Sequence, residues 1–189
     1  MTASFKTLPV SCGELLDFWF RVHGRPSWFA VSAAFDDDLR QRFSSAFADV
    51  ASADPEVLLA TPQTALASII LLDQFPRNVF RKTARAFATD AAALALAKSA
   101  VERGDAESLT NGDEKLFLYL PFEHSENLAD QHRAVELISK LADSEYTRFA
   151  EAHRSVIARF GRFPHRNAIL GRQSTAAEQE FLKQPGSTF

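Results

Sequence analysis

A chain of 189 residues with 46% apolar and 24% charged residues has the composition of a globular domain, which excludes the disordered and collagen-like classes. Its net charge of −3, from 21 basic and 24 acidic residues, argues against a nucleic-acid protein built on phosphate neutralisation. Its single cysteine, Cys12, allows no internal disulfide and no cysteine-based metal site.

The opening "MTASFKTLPVSCGELLDFWF" has one lysine and no long apolar run, so no secretory signal is expected. No stretch approaches the ~20 apolar residues that span a bilayer, so the expected location is cytoplasmic, with no membrane partner. A chain of this length can bury roughly 70% of its unfolded surface. One helical domain over residues 1–189 is expected, with its core at about 12–183.

Helix punctuation then runs the length of the chain. Ser11 with Glu14 reads as a capping box, and Val10 with Leu15 as a hydrophobic staple. Phe35, Leu39, Phe43 and Phe47 give the second helix one apolar stripe. Asp54-Pro55 and Thr61-Pro62 each pair an N-cap residue with proline at the first helical position. The second pair opens "QTALASIILLDQF", predicted to end near Phe75 because the residue before a proline avoids the helical region. Asp90 is predicted to cap "AAALALAKSAVER", which Gly104 stops. Thr110 and Asp113 introduce "EKLFLYL", expected to end at Pro121. Ser125 is predicted to start "ENLADQHRAVELISKLAD", with Leu128, Val135, Ile138 and Leu141 on one face. The following helix covers about Asp143 to Phe160, before Gly161, and a last one follows the capping box of Thr175 and Glu178. Strand signals are almost absent. The expectation is all-α, with about eight or nine helices.

The 17 phenylalanines against 2 tyrosines and 2 tryptophans point to core packing, because phenylalanine has no polar handle. Chemistry is concentrated in three strings. In "LDQFPRNVFRKTARAFATD", Arg77, Arg81 and Arg85 recur every four residues, a pattern suited to an anion, with Asp73 as the internal counter-charge. In "RFGRFPHRNAILGR", Arg162, His165, Arg166 and Asn167 follow a second Phe-Pro, and Arg166-Asn167 repeats Arg77-Asn78. Each proline stiffens what is read as a turn at a helix end. The plainer reading makes these arginines structural ion pairs, and Asn78 and Asn167 caps or turn formers. In "YLPFEHSE", Glu123 and His124 form a conceivable acid–base pair. Glu126 and Asp130 are read as acids near a helix N-terminus. His153 falls in step with Tyr146, Phe149, Val156 and Phe160, so it is expected to be a core histidine bonded to a backbone carbonyl. No paired metal-ligand motif occurs, and no cofactor or metal is expected.

These three strings together resemble the bacterial domain-of-unknown-function family 924, over about Cys12 to Lys183. The resemblance implies the tetratricopeptide-repeat-like helical superfamily, with helices stacked as antiparallel pairs. It brings no established activity and no site residues.

The functional expectation is a binding protein for a small anionic or phosphorylated ligand, or an acidic peptide. Both Phe-Pro turns and the Glu123-His124 loop would converge on one polar pocket. Arg77 and Arg166 would clamp the anion, with Asp73, Asn78, Arg81, Arg85, Glu123, His124, Arg162, His165 and Asn167 around them. Replacing either clamping arginine should then remove binding and spare stability. One alternative is a hydrolase- or transferase-like enzyme using His124, Glu123 or His165. Another is a scaffold whose polar turns lock helix ends.

Overall fold

The structure is a computed structural model that describes residues 12–187. Among these residues every regular element is helical. The helices gather into two compact units. The first takes the chain up to Arg81 and Arg85–Pro121, and the second takes Lys82–Ala84 and everything from Phe122 onward.

In the first unit, α1 (Cys12–Leu16) passes into a π-helical turn, Asp17–His23, followed by the short α2 (Arg25–Trp28). Ser11 and Val10, read above as cap and staple, lie outside the described residues. The aromatics of this stretch pack as a core, as the phenylalanine bias implied. Trp19 and Trp28 each meet Phe117 edge-on, with centroids 5.4 and 4.8 Å apart. The helix α3 (Ala33–Ala51) buries Phe35, Leu39 and Phe43. Its cap is Ser32, whose hydroxyl accepts from the Phe35 amide. The short α4 (Pro55–Leu58) and the long α5 (Pro62–Val79) begin at Asp54 and Thr61, whose side chains accept from Glu56 and Thr64 amides.

Helix α5 is buried almost all round, as a central helix must be, with α3 and α6 (Asp90–Glu102) packed on it. It does not stop at Phe75. It runs through Pro76 to Val79, although an interior proline ordinarily costs about 3 kcal/mol or more through a lost hydrogen bond and a clash. One tertiary contact repairs that loss, and two side-chain bonds within the helix add to it. The Leu72 carbonyl, which a non-proline residue at 76 would have bonded, accepts the Thr89 hydroxyl at 2.5 Å. Arg77 Nη1 and Asn78 Nδ2 donate to the next two carbonyls, Asp73 and Gln74. Asp90 is therefore not a cap. It is the first residue of α6, its carboxylate turned to Arg77, and Gly104 follows the helix in the left-handed conformation.

Helix α7 (Gly112–Glu123) likewise continues through Pro121. Asn111, not Thr110 or Asp113, caps it by accepting from the Glu114 amide.

In the second unit, α8 (Leu128–Ser139) and α9 (Ser144–Phe160) pack on each other across a short connection. The cap of α8 is Asn127 rather than Ser125. Its buried face is Gln131, Ala134, Leu137 and Ile138, and Leu128 is exposed. For α9, Asp143 caps the start and Gly161, with φ of 68°, ends it. Tyr146, Ala150, His153 and Ile157 form its buried stripe, one helical turn apart in succession. Val156, Ile157 and Phe163 form a small core that Phe160 and Phe181 flank. The last helix, α10 (Ala176–Phe181), starts with the Thr175–Glu178 capping box.

Candidate functional site

The first string places Asp73, Arg77, Asn78 and Arg81 on the last turns of α5 and just beyond it, within the first unit. Arg77 meets Asp90 through two hydrogen bonds, at 2.8 and 3.0 Å, and Asp73 at 3.2 Å. Burial works against its charge, but the fields of Asp73 and Asp90 outweigh burial and tighten the guanidinium's hold on its proton. Arg81 forks onto Asp36 at 2.6 and 3.0 Å and also donates to Asn78 Oδ1. Arg85, in a 3-10 turn at Ala84–Phe87, lies 3.9 Å from the centroid of the Phe80 ring. The three arginines therefore do not form one cationic face. Arg77 goes to Asp73 and Asp90, Arg81 to Asp36, and Arg85 to the Phe80 ring.

The second string does form a turn. After Gly161 the chain extends at Phe163 and enters a 3-10 segment, Pro164–Arg166. Two bidentate pairs hold it from outside. Arg162 forks onto Glu178 at 2.6 and 2.8 Å and donates to the Gln173 carbonyl. Those bonds, with the Thr175 cap, bring the Glu178 carboxyl down to about 2. Arg172 forks onto Glu126 at 2.6 and 2.9 Å and donates to the Phe163 carbonyl, while the Phe163 amide donates to Glu126. Burial raises the Glu126 carboxyl, but these bonds more than offset it and leave it lowered. Neither pair was legible in the sequence, where Glu126 reads as a helix-terminal acid. Asn167 is buried, with Nδ2 donating to Ser174 Oγ and its carbonyl accepting from the Arg172 amide. Its φ of −57° and ψ of −50° are right-handed helical, so it ties the turn to Ser174 and Arg172 rather than capping the next segment or adopting a left-handed turn.

Inside this frame lie Glu123, His124, His153, His165 and Arg166, all in the second unit. The Arg166 guanidinium, on a residue only 6% exposed, sits 4.4 Å from the Phe163 centroid. His165 and His153 flank the same ring, each with centroids 5.6 Å away, and His124 lies 6.4 Å from His153. His165 is lowered to about 4, first by burial and then by the charge of Arg166 and the neighbouring His153 and His124, with Glu126 opposing. It is therefore a neutral imidazole at pH 7.

His153 is buried and its Nδ1 lies 2.9 Å from the Phe149 carbonyl, one turn back on α9. That matches the core histidine read from the spacing. The sequence did not disclose its second partner. Glu123 Oε1 approaches the same nitrogen at 2.9 Å, and Glu123 is itself only 4% exposed. Two residues thirty positions apart carry no local signal of such a contact. Among the described residues, no three or more His, Cys, Asp or Glu side chains are grouped to hold a metal ion. No helix among them is long and apolar enough to cross a membrane.

Residues 15–186 match a bacterial family described as protein of unknown function, DUF924. The fold is similar to the solved structure of a protein of unknown function, ATU0120, from Agrobacterium tumefaciens. That likeness has a TM-score of 0.86 and 41% identity, and covers 91% of this chain and 96% of that one. No curated protein matches the chain at a significant level.

Proposed function

The chain belongs to the bacterial family of unknown function DUF924, and on that premise we propose that its second unit binds a small anionic or phosphorylated ligand at the Phe163–Asn167 turn. Arg166 contributes the planar fork that suits a carboxylate or phosphate. His124 and His165 stand beside it as polar partners, and His165 brings no second charge at neutral pH because its protonation lies near 4.

One observation carries this reading. A nearly buried guanidinium is fixed against Phe163 in the same turn as an imidazole whose protonation that guanidinium opposes. A positive charge in a poorly solvated place attracts an anion more strongly than the same charge at the surface, and the charge of Arg166 already acts on the Glu126 carboxylate. The limited exposure of Arg166 favours a small ligand over an acidic peptide. We carry tetratricopeptide-like stacking as part of the same reading, supported by the packing of α8 on α9.

A thermal-shift series on the wild type and Arg166→Lys tests the proposal. It uses inorganic phosphate, small phosphomonoesters, dicarboxylates, an acidic peptide and neutral sugars. A ligand selective for the native state stabilises it by about 2.7 kcal/mol at a hundredfold excess over Kd. A small anion should raise the wild-type melting temperature in a concentration-dependent way and raise that of Arg166→Lys far less. Equal shifts in both proteins, or no shift with any anion, would overturn the proposal.

A further inference from the structure

The first unit holds a cavity made of its own residues. It opens between the end of α3, the short α4, the middle of α5 and α6, and its volume is about 160 Å³. Its walls are Val50, Leu58, Leu72 and Leu96, core side chains no more than 4% exposed. Its mouth is formed by exposed residues with short side chains, Ala51, Pro55, Ala92 and Ala95. The alanines keep it open. Ala92 and Ala95 lie one turn apart on α6, where leucine would suit a helix nearly as well and would fill the opening.

The lining says what suits the cavity. Among the described residues that line it, Ser99 alone has a polar side chain, and none is ionisable. Backbone oxygens of the lining residues already carry donors. The Val50 carbonyl accepts from the Ala53 amide, that of Pro55 from the Leu59 amide, that of Leu59 from the Arg103 guanidinium, and that of Leu72 from the Thr89 hydroxyl. A water inside a protein needs roughly two to four polar partners, and this lining offers little beyond one hydroxyl. Water there makes fewer hydrogen bonds than in bulk, so its displacement by an apolar body is favourable. A charged molecule would lose hydration and gain no partner.

Size narrows the occupant further. Drug-sized ligands fill pockets of roughly 300 Å³ and more, so this cavity is too small for them, whereas apolar cavities of about 150 Å³ take up benzene. We propose that the cavity is a second binding site, for a small uncharged molecule whose apolar body is the size of a benzene ring or a short branched alkyl chain. Ser99 is the one lining side chain able to hydrogen-bond it, so shape and apolar area set the selectivity. The site stands apart from the anion reading, because it shares no residue with the Phe163–Asn167 turn.

Titration of benzene into the whole chain, followed through the methyl resonances of labelled leucine and valine, tests this. In the wild type, saturable shifts should centre on Val50, Leu58, Leu72 and Leu96. Benzoate, with the same ring but a charge, should bind several-fold more weakly. Ala95→Leu and Ala92→Leu fill the opening and should weaken benzene binding several-fold. Ala91→Leu, at an exposed position of the same helix outside the lining, should leave it unchanged. No saturable shift, or shifts centred on other methyls, would overturn the proposal on the wild type alone, whether or not the variants fold. Undiminished binding in both filled variants, or equal affinity for benzoate, would overturn it as well.

Discussion

"LDQFPRN" and "GRFPHRN" share Phe-Pro and a following Arg-Asn, yet one completes a helix and the other is a turn. In the first string, four apolar turns of α5 precede the proline, and the carbonyl that Pro76 orphans is taken up by Thr89. In the second, Gly161 has already ended α9 in the left-handed conformation, so Pro164 starts a new segment at a position where its missing N–H costs nothing. The arginines diverge accordingly. Arg77 is fixed between Asp73 and Asp90, whereas Arg166 lies against Phe163 among imidazoles. What precedes a short motif, and what the rest of the fold brings to its carbonyls, decides its structure more than its own letters do.

The largest expected effect breaks the first half of the comparison. Arg77→Met removes the charge shared by Asp90 and by Asp73, which is 1% exposed. It should destabilise the protein by about 3–5 kcal/mol, the usual cost of removing one partner of a buried pair. Urea unfolding of the variant would read it. This reverses the expectation from sequence that Arg77 could be replaced without loss of stability.

The next effect belongs to the second string and appears in acid. His165 protonates near 4 in the folded chain against 6.5 ordinarily. From about pH 6.5 down to 4 the unfolded chain therefore takes up a proton that the folded chain refuses, and stability falls. The full penalty is on the order of 3 kcal/mol. His165→Asn should flatten this part of the curve. The Glu178 carboxyl, at about 2, acts in a lower window. Its contribution is complete above about 4.5 and is lost as pH falls toward 2. Unfolding curves across that range, for both proteins, would separate the two.

Local chemistry was legible wherever the partners are neighbours in the chain. Asp54, Thr61, Gly161 and the Thr175–Glu178 box were read correctly because a cap and its amide lie within one turn. The course of α5 and α7 through Pro76 and Pro121 was not legible, because proline's local preference was overridden by packing that only the fold supplies. For the candidate site, Glu123, His124, His165 and Arg166 could be named from the sequence, but their grouping and the Glu123–His153 contact could not. Residue type announces chemistry, whereas pairing depends on which helices meet.

Two smaller effects sharpen the comparison. Glu126→Ala leaves Arg172 and the Phe163 amide without their carboxylate, which should cost about 1.5–3 kcal/mol, the range for hydrogen bonds to charged groups. Amide hydrogen exchange should rise in residues 161–172 and stay unchanged in α5. Thr89→Val removes the hydroxyl from the Leu72 carbonyl and should cost about 1 kcal/mol. In that variant, exchange should rise in the last turns of α5 and leave the second string as it was.

The central claim is that the arginine of the first string serves the fold and that of the second serves a ligand. Calorimetric titration of inorganic phosphate into Arg77→Lys and Arg166→Lys tests it most directly, since both variants keep the charge and lose only the planar fork. Arg77→Lys should melt at a lower temperature and bind phosphate as the wild type does, while Arg166→Lys should bind it about tenfold more weakly, a loss of about 1.4 kcal/mol. Undiminished binding in Arg166→Lys, with binding lost in Arg77→Lys, would contradict the account.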